Sequence, residues 1–91
     1  MKMIPLKQAL TLMHTAAQRA EGVSVRLCTF KRDRWVELSV QPDGLLLRVS
    51  GYEHSQELYP DFATLKHPLK QALEREFPRS HMVYYVEQRT Q

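Results

Sequence analysis

A single cysteine, Cys28, excludes an intrachain disulfide, and its isolation fits a reducing, cytoplasmic setting. Only three glycines stand in 91 residues, and none belongs to a phosphate-cradling loop of the Walker or dinucleotide-binding kind. The four histidines (His14, His54, His67 and His81) share no HxH or HxxxH spacing, and Cys28 has no CxxC partner. The common zinc frames are therefore missing, and neither a metal nor a cofactor is expected. No serine sits in a GxSxG elbow, and no carboxylate pair has the flanking context of a glycosidase. No apolar run approaches the roughly 18–20 residues that cross a bilayer. Lys7, Gln8, Thr11 and His14 interrupt the amino-terminal stretch where a secretory signal would need an apolar core, so no membrane partner is expected.

Charge of one sign is also scarce. Thirteen Lys and Arg against ten Asp and Glu leave a formal charge of +3. That excess permits an anionic partner without the concentration usual in dedicated nucleic-acid domains. Hydrophobic residues at 43% and charged residues at 25% are ordinary globular usage, so the chain reads as one domain spanning 1–91. A chain this short builds one core but rarely a deep walled cavity as well.

What is present is strong periodicity. From Pro5 to Ala20 the residues Leu6, Ala9, Leu10, Met13, Ala16 and Ala17 recur at helical spacing, and the alanines would let that helix sit close to a sheet. Pro5 suits a first helical turn, and Gly22 supplies a stop. Val23, Val25 and Leu27 then alternate with Ser24, Arg26 and Cys28, and Val36, Leu38 and Val40 alternate with Trp35, Glu37 and Ser39. This period of two predicts two strands, each with one apolar face. Gln41-Pro42-Asp43-Gly44 is a strong turn signal leading to a third strand over 45–50, and a polar fourth strand is expected at 54–59, best placed at a sheet edge.

Asp61 is placed to cap a second helix whose stripe is Phe62, Leu65, Leu69, Leu73 and Phe77. Pro68 predicts either a kink in that helix or a break with a new start. A last strand over 81–87 pairs with the first strand or with another chain. The expected fold is a two-layer α+β domain in the order α-β-β-β-β-α-β. Its four- to five-stranded, mostly antiparallel sheet is covered on one face by two helices.

In element order this resembles the double-stranded-RNA-binding domain, which is α-β-β-β-α. That family's second helix opens with a lysine cluster that grips phosphates, whereas this one opens Asp61-Phe62-Ala63-Thr64. The strands at 54–59 and 81–87 are additional, so the resemblance implies no residue roles here.

The candidate binding residues follow from the segment Phe30-Lys31-Arg32-Asp33-Arg34-Trp35, which sets three cations between two aromatics at the expected tip of a hairpin. Lys31, Arg32 and Arg34 can meet phosphates, and Trp35 offers a stacking face. Arg79 adds a second basic position near the last strand, and Tyr84 and Tyr85 must point to opposite sides of it. The expected function is a small non-catalytic binding module, taking nucleic acid through the basic tip. The alternative is a protein-interaction or homodimerisation domain using an aromatic sheet face around Trp35 and Tyr84. A toxin-like ribonuclease drawing on His54, Glu57, His81 and nearby arginines is the second alternative. Cys28 itself reads as a small buried hydrophobe within a strand.

Overall fold

The computed structural model describes residues 2–19, 21–29, 31 and 33–89. The chain runs β1 (Lys2–Pro5), a 3-10 turn (Leu6–Gln8), α1 (Ala9–Ala17), β2 (Val23–Cys28), β3 (Trp35–Gln41), β4 (Gly44–Ser50), β5 (His54–Tyr59), α2 (Phe62–Glu76) and β6 (Met82–Arg89). The strands form one open antiparallel sheet in the order β1-β6-β2-β3-β4-β5. The α+β fold is the expected one, and β6 pairs with the first strand of the meander, β2.

The sheet has six strands rather than four or five because Lys2–Pro5 adds an edge beside β6. Four residues are too few to show a period of two. What holds β1 is burial of Ile4 next to its partner Val83, extended by a bond from the Leu6 N–H to the His81 carbonyl at 2.8 Å. This edge strand also displaces the expected start of the first helix. The chain leaves β1 at Pro5, turns through a 3-10 segment, and becomes α-helical only at Ala9.

Both helices lie on one face. The buried stripe of α1 is Ala9, Met13 and Ala16, and two of its three members are alanine, which allows the close approach its sequence predicts. From α2 come Leu65, Leu69, Ala72 and Leu73, with Phe77 just beyond. They meet Val25 and Leu27 of β2, Val36 and Leu38 of β3, and Leu45, Leu47 and Val49 of β4 in one core. Full burial of each such aliphatic side chain contributes about 1.5–3 kcal/mol relative to exposure. Gly44 closes the β3–β4 hairpin with φ of +147°, and a Cβ there would collide with the Tyr59 carbonyl of β5.

Pro68 neither breaks nor restarts α2, which runs from Phe62 to Glu76 as a single helix. The N–H that proline lacks would have served Thr64, an exposed residue in the first turn where solvent can supply the donor. The N-cap is the expected one. Asp61 accepts from the Thr64 N–H at 2.9 Å and from its hydroxyl at 3.0 Å.

Those bonds, the backbone one foremost, hold the Asp61 carboxyl below its usual value. A carboxyl depressed in the folded state stabilises above its unfolded pKa, and that stability is lost as pH falls through the folded pKa. The thermal midpoint is therefore expected to fall on acidification below about pH 4, near the carboxylate reference value. Asp61→Asn keeps a capping oxygen but cannot titrate, so its midpoint should fall less steeply over the same range. A pH series of thermal melts checks this.

Candidate functional site

With both helices on one side, no element among the described residues covers the other face of the sheet. Alternation assigns to it Arg26 and Cys28 of β2, Trp35 and Glu37 of β3, Arg48 of β4 and Tyr84 of β6. Antiparallel register then lines up Arg26, Glu37 and Arg48 as direct neighbours on three adjacent strands. The next row holds Tyr84, Cys28 and Trp35.

Glu37 is the only acidic member of the charged row, and its side chain is buried. One oxygen accepts from Arg26 Nε at 3.1 Å, and its ion pair with Arg26 Nη2 spans 2.9 Å; the other oxygen accepts from Arg48 Nη1 at 3.3 Å. Both guanidinium groups rest against the indole of Trp35, with Arg26 Cζ 4.0 Å and Arg48 Cζ 5.4 Å from the ring centroid. One buried carboxylate thus orients two cations on an aromatic base, and the row keeps one net positive charge. Both arginine side chains remain about two-fifths exposed, at 38% and 42%. A depression of about 190 Å³ opens beside them, floored by Cys28 and Trp35 and walled by Val86 and Gln88.

The loop between β2 and β3 is pinned at its base. The Thr29 N–H donates to the Arg34 carbonyl at 3.0 Å, and the Thr29 hydroxyl donates to Asp33 at 2.7 Å. That hydroxyl bond is the main cause holding the Asp33 carboxyl below its usual value. Arg34 turns onto the C-terminal end of α2, where its Nε donates to the Glu76 carbonyl at 3.0 Å. Its guanidinium covers Tyr52 at 4.7 Å. The partial negative charge at a helix C-terminus favours this.

Of the residues singled out from sequence, Lys31 is exposed, Arg34 is engaged as described, and Phe30 and Arg32 lie outside the described residues. Trp35 and Tyr84 share the open face, flanking Cys28, whereas Tyr85 packs toward the core. Arg79 is exposed and precedes the end of β6 that pairs with Cys28, so it stands at the same end of the sheet as Lys31. His81 and His54 sit on opposite flanks, where β6 and β5 are four strands apart. At about 4.8 Å per strand that is on the order of 19 Å, too far for one acid–base pair on one phosphate.

Sequence reasoning passed over Arg26, Glu37 and Arg48. A signal existed for Arg26 and Glu37, which occupy outward positions of strands whose faces the alternation fixes, whereas Arg48 follows three consecutive leucines that show no period of two. The hairpin register, which brings the two cations onto one carboxylate, was also missing. Comparison with known proteins finds no matching family model, no matching curated protein and no matching solved structure.

A second polar cluster holds the same end of the sheet together. Glu76 is fully buried and accepts from the Tyr52 N–H at 2.8 Å, the Glu53 N–H at 3.3 Å and Arg75 Nε at 3.1 Å. Arg75 also pairs with Glu53 at 3.3 Å. A Cβ on Gly51 would run into the Glu76 carboxylate and the stem of Arg34, so glycine there keeps room for both. This cluster fixes the β4–β5 turn to α2 and has no free donor set aimed at a ligand.

Proposed function

We propose that the chain is a small non-catalytic binding module that lays an unpaired nucleic-acid strand across the open face of its sheet. The observation that carries this reading is the Arg26–Glu37–Arg48 row against Trp35. A guanidinium held over an indole can present its outer face to a base and its edge N–H groups to a phosphate. The neighbouring depression, with Val86 on its wall, offers an apolar surface beside those donors. Lys31 and Arg79 would meet the backbone where the strand leaves the sheet, and Tyr84 would offer a second stacking ring. Unpaired strands suit this face better than a duplex, because their bases expose flat surfaces.

A protein ligand on the same face is the second reading, favoured by the exposure of Met3 at 40% and Met82 at 43% along the β1–β6 flank. Stacking two copies face to face is disfavoured, since each would bring its net positive row against the other's.

Fluorescence anisotropy with labelled single-stranded RNA and DNA, and with a duplex control, separates these readings. Single strands are expected to bind at low salt, with log affinity falling by about 0.7 per neutralised phosphate for each tenfold rise in salt. No binding to either single strand at low salt would overturn the proposal. So would an affinity that ignores salt, which is the behaviour a protein-docking face would share.

A further inference from the structure

We propose that β5 is a self-pairing edge, through which two copies of this chain join their sheets into one. The two flanks of the sheet differ. β1 is four residues long, carries Lys2 and ends in Pro5, which cannot donate to a neighbour. These are the usual devices that blunt an edge. β5 has none of them: its six residues pair with β4 in continuous register from His54 to Tyr59, without a bulge and without lysine, arginine or proline. Its outer edge faces no other strand among the described residues. Its side chains are exposed on both faces except for the half-buried Tyr59, and Leu58 is 44% exposed.

The occupant that fits is a second β5. An antiparallel pair about a two-fold axis normal to the sheet keeps like faces together, so a residue can oppose only itself or one of its own parity. Four centres then pair at least three residues of the strand, and the one on Ser55 goes no further than His54 against Gln56 before Glu53 meets a like-charged Glu57. Centring on Glu57 sets two carboxylates directly opposite, which is destabilising. Centring on Leu58 runs out of strand at Pro60, which has no N–H to give. Centring on Gln56 uses the strand from His54 to Leu58, setting Gln56 against its copy, Ser55 against Glu57 and His54 against Leu58. The last two pairs give a carboxylate a hydroxyl partner and cover an exposed leucine. The interface is small, below the standard size of stable complexes, so the dimer is weak and concentration-dependent.

Sedimentation without nucleic acid, over the micromolar range, is expected to show mass rising from one 10.7 kDa chain toward two. Gln56→Lys places two ammonium groups opposite each other at an exposed site and should hold the chain monomeric with its melt unchanged. Gln56→Cys should form an oxidised dimer readily, while Leu58→Cys, set well off the axis in this register, should cross-link much more slowly. The wild-type chain is the blank, since Cys28 is buried.

A monomer across the whole range overturns the proposal. A dimer that survives Gln56→Lys, or that cross-links faster through Leu58→Cys, overturns it equally. Because no nucleic acid is present, none of these results bears on the ligand reading, and either can fail alone.

Discussion

Glu76→Ala is expected to lower the unfolding free energy by about 2–4 kcal/mol, from lost bonds to three N–H donors and the space left behind. The side chain is fully buried, and two of its donors are backbone groups of the β4–β5 turn that no other side chain serves. Arg75 is part-exposed and still has Glu53, so its charge is not stranded. A domain of this size holds only about 5–10 kcal/mol in total, so a thermal midpoint lower by roughly 10–25 °C is expected. Gly51→Ala should cause part of the same loss, because its methyl takes the space of the Glu76 carboxylate. In a double-mutant cycle the two should fall well short of additive, since each disrupts the same contact. Urea titration of the four proteins measures this. A Glu76→Ala protein melting within a few degrees of the parent would show that the carboxylate does not hold the turn.

The largest functional effect is expected from neutralising the charged row. Removing Arg26 and Arg48 alone would strand the buried Glu37, so the informative variant changes all three to glutamine. Losing the row's one net positive charge should flatten the salt slope by roughly 0.7. Losing the flat stacking surface adds about 1–3 kcal/mol per base, so affinity at low salt should fall at least about 30-fold. A companion variant, Arg26→Lys with Arg48→Lys, keeps both charges on Glu37 but gives up the planar groups. Its salt slope should match the parent while affinity falls about 5–10-fold, because an ammonium is a point charge that cannot lie flat against a base. If the glutamine and lysine rows both bind as tightly as the parent, charge and stacking at this row are both irrelevant, and the ligand lies elsewhere.

Much of the fold was legible because one physical rule repeated. Across Val23–Cys28 and Trp35–Val40 apolar and polar residues alternate, and that pattern assigned the buried faces of β2 and β3 without knowledge of their partners. Asp61 was legible because capping is local, needing only Thr64 three residues on. Elements that depend on distant partners were not. β1 exists because β6 is beside it, and nothing within Lys2–Pro5 announces that. Pro68 carries a local penalty that the packing of Leu65, Leu69 and Leu73 overrides. Arg34 looked like a projecting cation because its acceptor, the Glu76 carbonyl, lies 42 residues away. Arg26 and Glu37 lie between these cases: their faces could be read, but not the register that sets them side by side with Arg48.

The position of β6 between β1 and β2 has a consequence for how the chain matures during synthesis. The meander from β2 to β5 joins neighbours in order and can assemble as it leaves the ribosome. β1, made before the meander, has no place to dock until β6, made after it, has slotted in beside β2. Until then the inner edge of β2 is bare and Ile4 lacks its partner Val83. β6 therefore acts as a keystone, and the nascent protein is most prone to clump just before β6 emerges.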